Sequence, residues 1–343
     1  MAEAHIEKGL ITSIKPLIFF TRTVGLMPIR FEKIPIQSKL LKLYNILFII
    51  FTTVLFGFLI EHRVVLPKTY ERFYHYNDTF LLLFGYLSLL STIGFLILKT
   101  NLIIETILKL AEVDVLLRGI KAQGNPRDTL LYFAKSVGLS FLLITIVLCC
   151  DLTTNEHKEP ELLLMNIFLY IVYAYAFVNI IEFNCFIYIL TQRIKIINQV
   201  LINEIWGMQE LKSGSTWISQ VYPKKSKQIT HVSKKNETEL GEVVQTIQDV
   251  HFKLIEINRL INTFFSAQIL ITSILTFVEL TVNLYYLIKR SLDENGPEKL
   301  KFDVRRPTIW FVFNVLITLG FVLPCVWAGH HVSFSSVSLK NFL

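Results

Sequence analysis

Six stretches of the chain are apolar for long enough to cross a bilayer, and nothing constrains its fold more. They run over Leu43–Ile60, Thr79–Leu98, Leu130–Cys150, Leu162–Leu190, Phe264–Ile288 and Thr308–Ala328. A helix needs roughly 20 mostly apolar residues to span the hydrocarbon of a membrane. The first run, LYNILFIIFTTVLFGFLI, carries no charge, and neither does the second, TFLLLFGYLSLLSTIGFLIL. The third has Lys135 near one end, where a long side chain can reach the interface. The fourth is longer than an upright span requires and predicts a helix that tilts or projects. In lipid, backbone groups must be satisfied within each segment, so such runs fold as helices. The expected fold class is all-α, a polytopic membrane helix bundle with six predicted spans.

Composition agrees. Of the 343 residues 52% are hydrophobic and only 18% charged, against about a quarter in soluble domains. The 27 Phe and 13 Tyr suit lipid contact and interfacial belts. The net charge of +7 is read as cytosolic-side lysine and arginine, not as a nucleic-acid footprint. Most of the 34 Lys and Arg fall in 1–42, 99–135 and 191–263. That bias places the N-terminus in the cytosol, and six spans return residues 329–343 to the same side. By this topology the sequon at Asn77 faces outside and that at Asn236 inside. The four cysteines, Cys149, Cys150, Cys185 and Cys325, all lie in apolar runs, which argues against a disulfide framework.

The expected organisation has five parts: a cytosolic interfacial segment over 1–42, spans one to four over 43–190, a cytosolic loop with helical extensions over 191–263, spans five and six over 264–328, and a cytosolic tail. Within the first part, PLIFFTRTVGLMPIRF (16–31) is too short and too charged to span, and predicts an amphipathic segment against the inner leaflet. Val243, Ile247, Val250, Leu254, Ile257 and Ile261 recur at spacings of four and three, an apolar seam running into the fifth span. Leu190, Ile194, Ile197 and Leu201 prolong the fourth span in the same rhythm. These two stripes either pack on each other or join subunits; spacing alone leaves both open.

No catalytic or phosphate-binding motif is present, and no cofactor is implied. His330-His331 lacks a third metal ligand nearby, so no metal site is assigned. Polar residues inside the spans are better clues, because lipid makes them costly. Asn179 and Glu182 share one face of the fourth span, Glu279 and Asn283 one face of the fifth, and Asn314 lies in the sixth. They either hydrogen-bond between helices or line a ligand pocket, to which Tyr170, Tyr173 and Tyr175 could add stacking faces.

Residues 251–288, HFKLIEINRLINTFFSAQILITSILTFVELTVNLYYLI, carry the strongest family likeness. With its Ile261-Asn262, Phe264-Phe265, Gln268-Ile269-Leu270 and Asn283-Leu284-Tyr285 steps, this segment resembles the insect gustatory receptors, in the seven-helix insect chemoreceptor superfamily. PLIFFTRTVGLMP is similar to the family's opening and RIKIINQVLINEI to the end of its fourth helix. The resemblance implies a plasma-membrane taste receptor for small molecules such as sugars or bitter compounds. It further implies a subunit of a ligand-gated, non-selective cation channel, built as a homo- or hetero-tetramer with related subunits. A cytosolic bundle containing the 243–261 seam would join them. The family's seventh span carries Thr-Tyr followed by Gln-Phe, which AGHHVSFSSVSLKNFL does not resemble. The expectation is therefore a chain truncated before the pore-lining span and non-conducting alone. The other classes considered are a G-protein-coupled receptor, which would need an external N-terminus and an outer disulfide; a transporter, which would need an internal repeat; and a modulatory fragment.

Overall fold

A computed structural model describes residues 8–23, 28–31, 35–65, 72–122, 124–154, 160–202, 237–292 and 305–340. Helices α1 (Lys8–Thr23), α2 (Lys39–Val65), α3 (Arg72–Gly119), α4 (Pro126–Thr154), α5 (Pro160–Leu201), α6 (Glu237–Leu292) and α7 (Arg305–Lys340) account for nearly all of them. Strands β1 (Ile29–Phe31) and β2 (Pro35–Gln37) form one short antiparallel pair between α1 and α2. Helices α2 to α7 are each long and apolar enough to cross a membrane, as the six runs require. Their outward faces are hydrocarbon: Val54 on α2, Phe141 on α4, Phe277 on α6 and Val326 on α7 are all exposed. A water-soluble protein does not display this much apolar surface; the chain is a multi-pass membrane protein.

Local chemistry sets several helix ends. Ser38 caps α2, its carbonyl accepting from Lys42 N at 3.1 Å. Asn125 caps α4, where its Oδ1 accepts from Arg127 N at 3.1 Å and Pro126 takes the first helical position. Helix α3 closes through Lys121 N to Arg118 O and Ala122 N to Leu117 O, with Lys121 in the left-handed region at φ 56°. The helical geometry of α3 breaks at Lys99, whose ammonium lies over the Phe95 ring and donates to the Thr263 carbonyl at 3.2 Å. The kink falls where the second apolar run ends and the helix continues as an amphipathic extension.

Two expectations gain structural detail here. The first is the N-terminal segment, whose residues to Thr23 belong to α1, with Pro16 inside it. Ile14, Leu17, Ile18 and Thr21 are buried at helical spacing, while Lys15, Phe19 and Arg22 face outward. Leu17 packs with Phe133 of α4 and with Ile181 and Cys185 of α5, and the Phe20 ring meets Phe133 edge-on at 6.0 Å. This segment is a helix packed into the bundle, because its apolar stripe finds a groove between α4 and α5. With α1 the described residues hold seven helices, so a bundle cut short before a seventh helix is not supported. The second is the apolar seam. Ile247, Val250, Leu254, Ile257 and Ile261 are buried by this chain itself, together with Ile103, Ile107, Leu110, Val113 and Leu117 of α3 and with Ile194, Ile197 and Leu201 of α5. Val243, partly buried, packs at the edge of the same core. The stripes of α5 and α6 thus pack within one chain, with α3 as the third partner that the sequence reading did not include. Ion pairs flank this three-helix extension: Lys109 with Glu256, Lys253 with Glu112, and Arg193 with Asp114.

The loop sequon at Asn236 and the basic stretch before it lie outside the described residues.

Candidate functional site

Helices α5 and α7 run side by side in steady register. Tyr173 meets Trp310, Phe177 meets Phe313, and Asn184 donates to the Gly320 carbonyl at 2.9 Å. The helices approach closely at Gly320, where a Cβ would stand at ordinary contact distance, 3.6 Å, from the Ile180 side chain. At one end of this seam the rings of Tyr173, Trp310 and Phe313 lie within 5.6 Å of one another, centroid to centroid, and Tyr170 stacks on Trp310 at 6.4 Å.

The Glu279 carboxylate of α6 is linked to the Trp310 turn of α7 through Asn314. Asn314 of α7 donates from Nδ2 to Glu279 Oε2 at 2.7 Å and to the Trp310 carbonyl at 2.9 Å. Both side chains are buried, Glu279 at 3% and Asn314 at 0% exposure. The polar face of α6 continues outward through the half-buried Asn283, one turn from Glu279. Four residues singled out from sequence, Tyr170, Tyr173, Glu279 and Asn314, are therefore brought together.

The other candidates go elsewhere. Glu182 is fully buried and faces Thr21 of α1, whose hydroxyl donates to the Ile18 carbonyl at 3.2 Å, so it belongs to the α1–α5 contact. Tyr175 stacks on Phe48 of α2 at 5.2 Å, away from Trp310, because two residues on a helix point in nearly opposite directions. Asn179 belongs to a second polar station. Phe183 and Phe186 of α5 both touch Phe265 of α6. The two helices are antiparallel, since α5 ends and α6 begins in the same extension. Asn179 on α5 and Gln268 on α6 each lie one turn further from that extension, on the faces in contact. Asn179 Nδ2, both amide atoms of Gln268 and the Thr272 hydroxyl have no partner among the described residues. Buried amides without partners are expensive in a membrane interior, and such a place suits a polar molecule. Sequence reasoning missed Gln268 and Thr272 as site residues, although with Thr276 and Glu279 they form one buried polar line on α6 at helical spacing. That spacing was the available signal. Trp310 and Phe313 were also missed, because an aromatic residue in a span reads as lipid contact until its partners are known.

No cluster of three metal-ligating side chains occurs among the described residues. Nothing in the arrangement provides a nucleophile with an adjacent base; what it offers is recognition, a carboxylate and amide beside aromatic rings inside a membrane bundle.

No curated protein matches the chain. A family model described as 7tm Chemosensory receptor does match, and it spans residues 14–338, from within α1 almost to the end of α7. The chain belongs to the 7tm chemosensory receptor family, which is a receptor family and not an enzyme family.

Proposed function

We propose that this chemoreceptor is a taste-type receptor whose small-molecule pocket is centred on Glu279 and Asn314, beneath the rings of Tyr173, Trp310 and Phe313. The observation that carries the reading is the Asn314–Glu279 hydrogen bond, which places a carboxylate and an amide against an aromatic cluster between α5, α6 and α7. Convergent polar groups set in apolar and aromatic walls are the usual make-up of a small-molecule site. Membership of the family supplies the receptor role; the buried polar groups and neighbouring rings support the proposed place.

The proposed output is a non-selective cation current across the plasma membrane, from a tetramer of this chain alone or with related subunits, with the N-terminus in the cytosol. Since the α6 seam is spent within the chain, neighbouring subunits would meet other surfaces, such as the exposed face bearing Phe252. Patch-clamp recording with a panel of sugars and bitter compounds tests this reading. Ligand-dependent current from the chain alone supports a self-sufficient channel. Current only on co-expression with related subunits, abolished by Trp310→Ala at unchanged surface level, supports a ligand-binding subunit that does not conduct by itself. Responses indifferent to Trp310, Tyr173 and Glu279 substitution would refute the pocket. Protease protection of a tag at residue 225 would refute the cytosolic placement.

A further inference from the structure

Resting on that pocket, the arrangement around Glu279 also speaks to the charge of what binds. Among the described residues no lysine, arginine or histidine forms an ion pair with Glu279; its hydrogen-bond partner is the neutral amide of Asn314. That amide has spent its donor on Glu279 Oε2 and the Trp310 carbonyl, while its Oδ1, fully buried, has no partner among the described residues. With Glu279 ionised, the groups left at the centre are acceptors. Trp310 and Phe313 stand within a turn of Asn314 on α7 with Tyr173 of α5 packed against both, and an aromatic face is itself a region of negative potential.

Carboxylate, amide oxygen and ring faces all favour positive charge, and low polarity around them strengthens the preference. An anion is repelled. A neutral polyol would have to take its donors from Gln268 and Thr272 further along α6, because the central amide donor is already committed. A small inorganic cation would need a shell of oxygens, where half of this site is aromatic carbon. An organic ammonium fits both halves: its N–H groups donate to Glu279 and to Asn314 Oδ1, and its hydrocarbon part lies against the rings. We infer that the ligand class of this site is a small organic ammonium ion, a protonated primary or secondary amine carrying an apolar group.

The test uses the full chain in lipid nanodiscs and two probes of nearly equal shape, phenethylammonium and neutral 2-phenylethanol, titrated at pH 7. The expected result is tighter binding of phenethylammonium by about tenfold or more. Glu279→Gln should remove that preference, and Trp310→Ala should weaken both probes. The comparison on the unsubstituted chain stands even if Glu279→Gln fails to fold. Equal binding of the two probes, or a preference that survives Glu279→Gln, overturns the ammonium assignment but leaves the pocket intact if Trp310→Ala still weakens binding. Binding of neither probe, or binding indifferent to Trp310→Ala, overturns the pocket reading along with it.

Discussion

Arg193 of α5 holds Asp114 of α3 through two parallel hydrogen bonds, Nε to Oδ1 at 3.0 Å and Nη2 to Oδ2 at 2.8 Å. Both side chains are largely buried, and Arg193 Nη1 also donates to the Ile189 carbonyl at 3.2 Å. The pair fastens α5 to α3 where the two helices pass into the extension. A planar guanidinium matches a carboxylate in a way that an ammonium cannot. Arg193→Lys should therefore reproduce most of the effect of Arg193→Ala, and either should destabilise the bundle by about 2–4 kcal/mol, because Asp114 is left largely buried and poorly paired. Thermal unfolding in detergent reads the change. An Arg193→Lys protein as stable as the unsubstituted chain would contradict the bidentate role.

Asp at position 250 or 254 should unfold the extension within each chain. Val250 and Leu254 are enclosed by α3 and α5, and an unpaired carboxylate there costs several kcal/mol. Exposed Phe252, between them in sequence, should accept Asp with little loss of folding. Limited proteolysis of the purified chains distinguishes the two cases. Resistance of the Val250→Asp chain would show that the seam is not part of an intrachain core.

Glu279 and Asn314 should couple. Asn314→Leu removes the donor that satisfies Glu279 Oε2, and Glu279→Leu removes the acceptor, so each single change breaks the bond. A double-mutant cycle on thermal stability should return an interaction of about 1–3 kcal/mol, as for contacting polar groups. Additive effects would mean that the two side chains do not meet in the folded receptor.

Gly320 tests the α5–α7 approach. An alanine Cβ would meet Ile180 at an ordinary contact distance of 3.6 Å, so Gly320→Ala should be nearly neutral. Gly320→Leu must push the helices apart and stretch the Asn184 bond to the residue 320 carbonyl, with a cost of about 1–3 kcal/mol. Surface expression and melting temperature should fall in that order, alanine close to the native glycine and leucine well below it. Equal behaviour of the two variants would place α7 farther from α5.

A lesion in α1 should be felt in α5. Leu17→Asp would put a carboxylate among Phe133, Ile181 and Cys185, near the already buried Glu182. Loss of fold or of membrane-stable expression is expected, by several kcal/mol. The exposed Phe19→Asp, one helical position away in facing, should be tolerated far better. If both are tolerated, α1 is not part of the packed bundle.

Hydropathy is a local property, and so the sequence alone determined what depends on it. The six spans and the helical class follow from runs such as LYNILFIIFTTVLFGFLI, since each apolar run must close its own backbone hydrogen bonds in lipid whatever surrounds it. The rhythm of the 243–261 seam likewise pointed to Ile247, Val250, Leu254, Ile257 and Ile261, which are buried, and to Val243, which is partly so. What periodicity cannot carry is the identity of the partner, because a stripe specifies only that something must cover it. Only the tertiary structure decided that α3 and α5 cover the α6 seam, that α1 enters the groove between α4 and α5, and that Glu182 goes to Thr21 while Glu279 goes to Asn314. Those choices depend on register and close approach between helices far apart in the chain, set by contacts such as Gly320 against Ile180, which no single stretch of sequence contains.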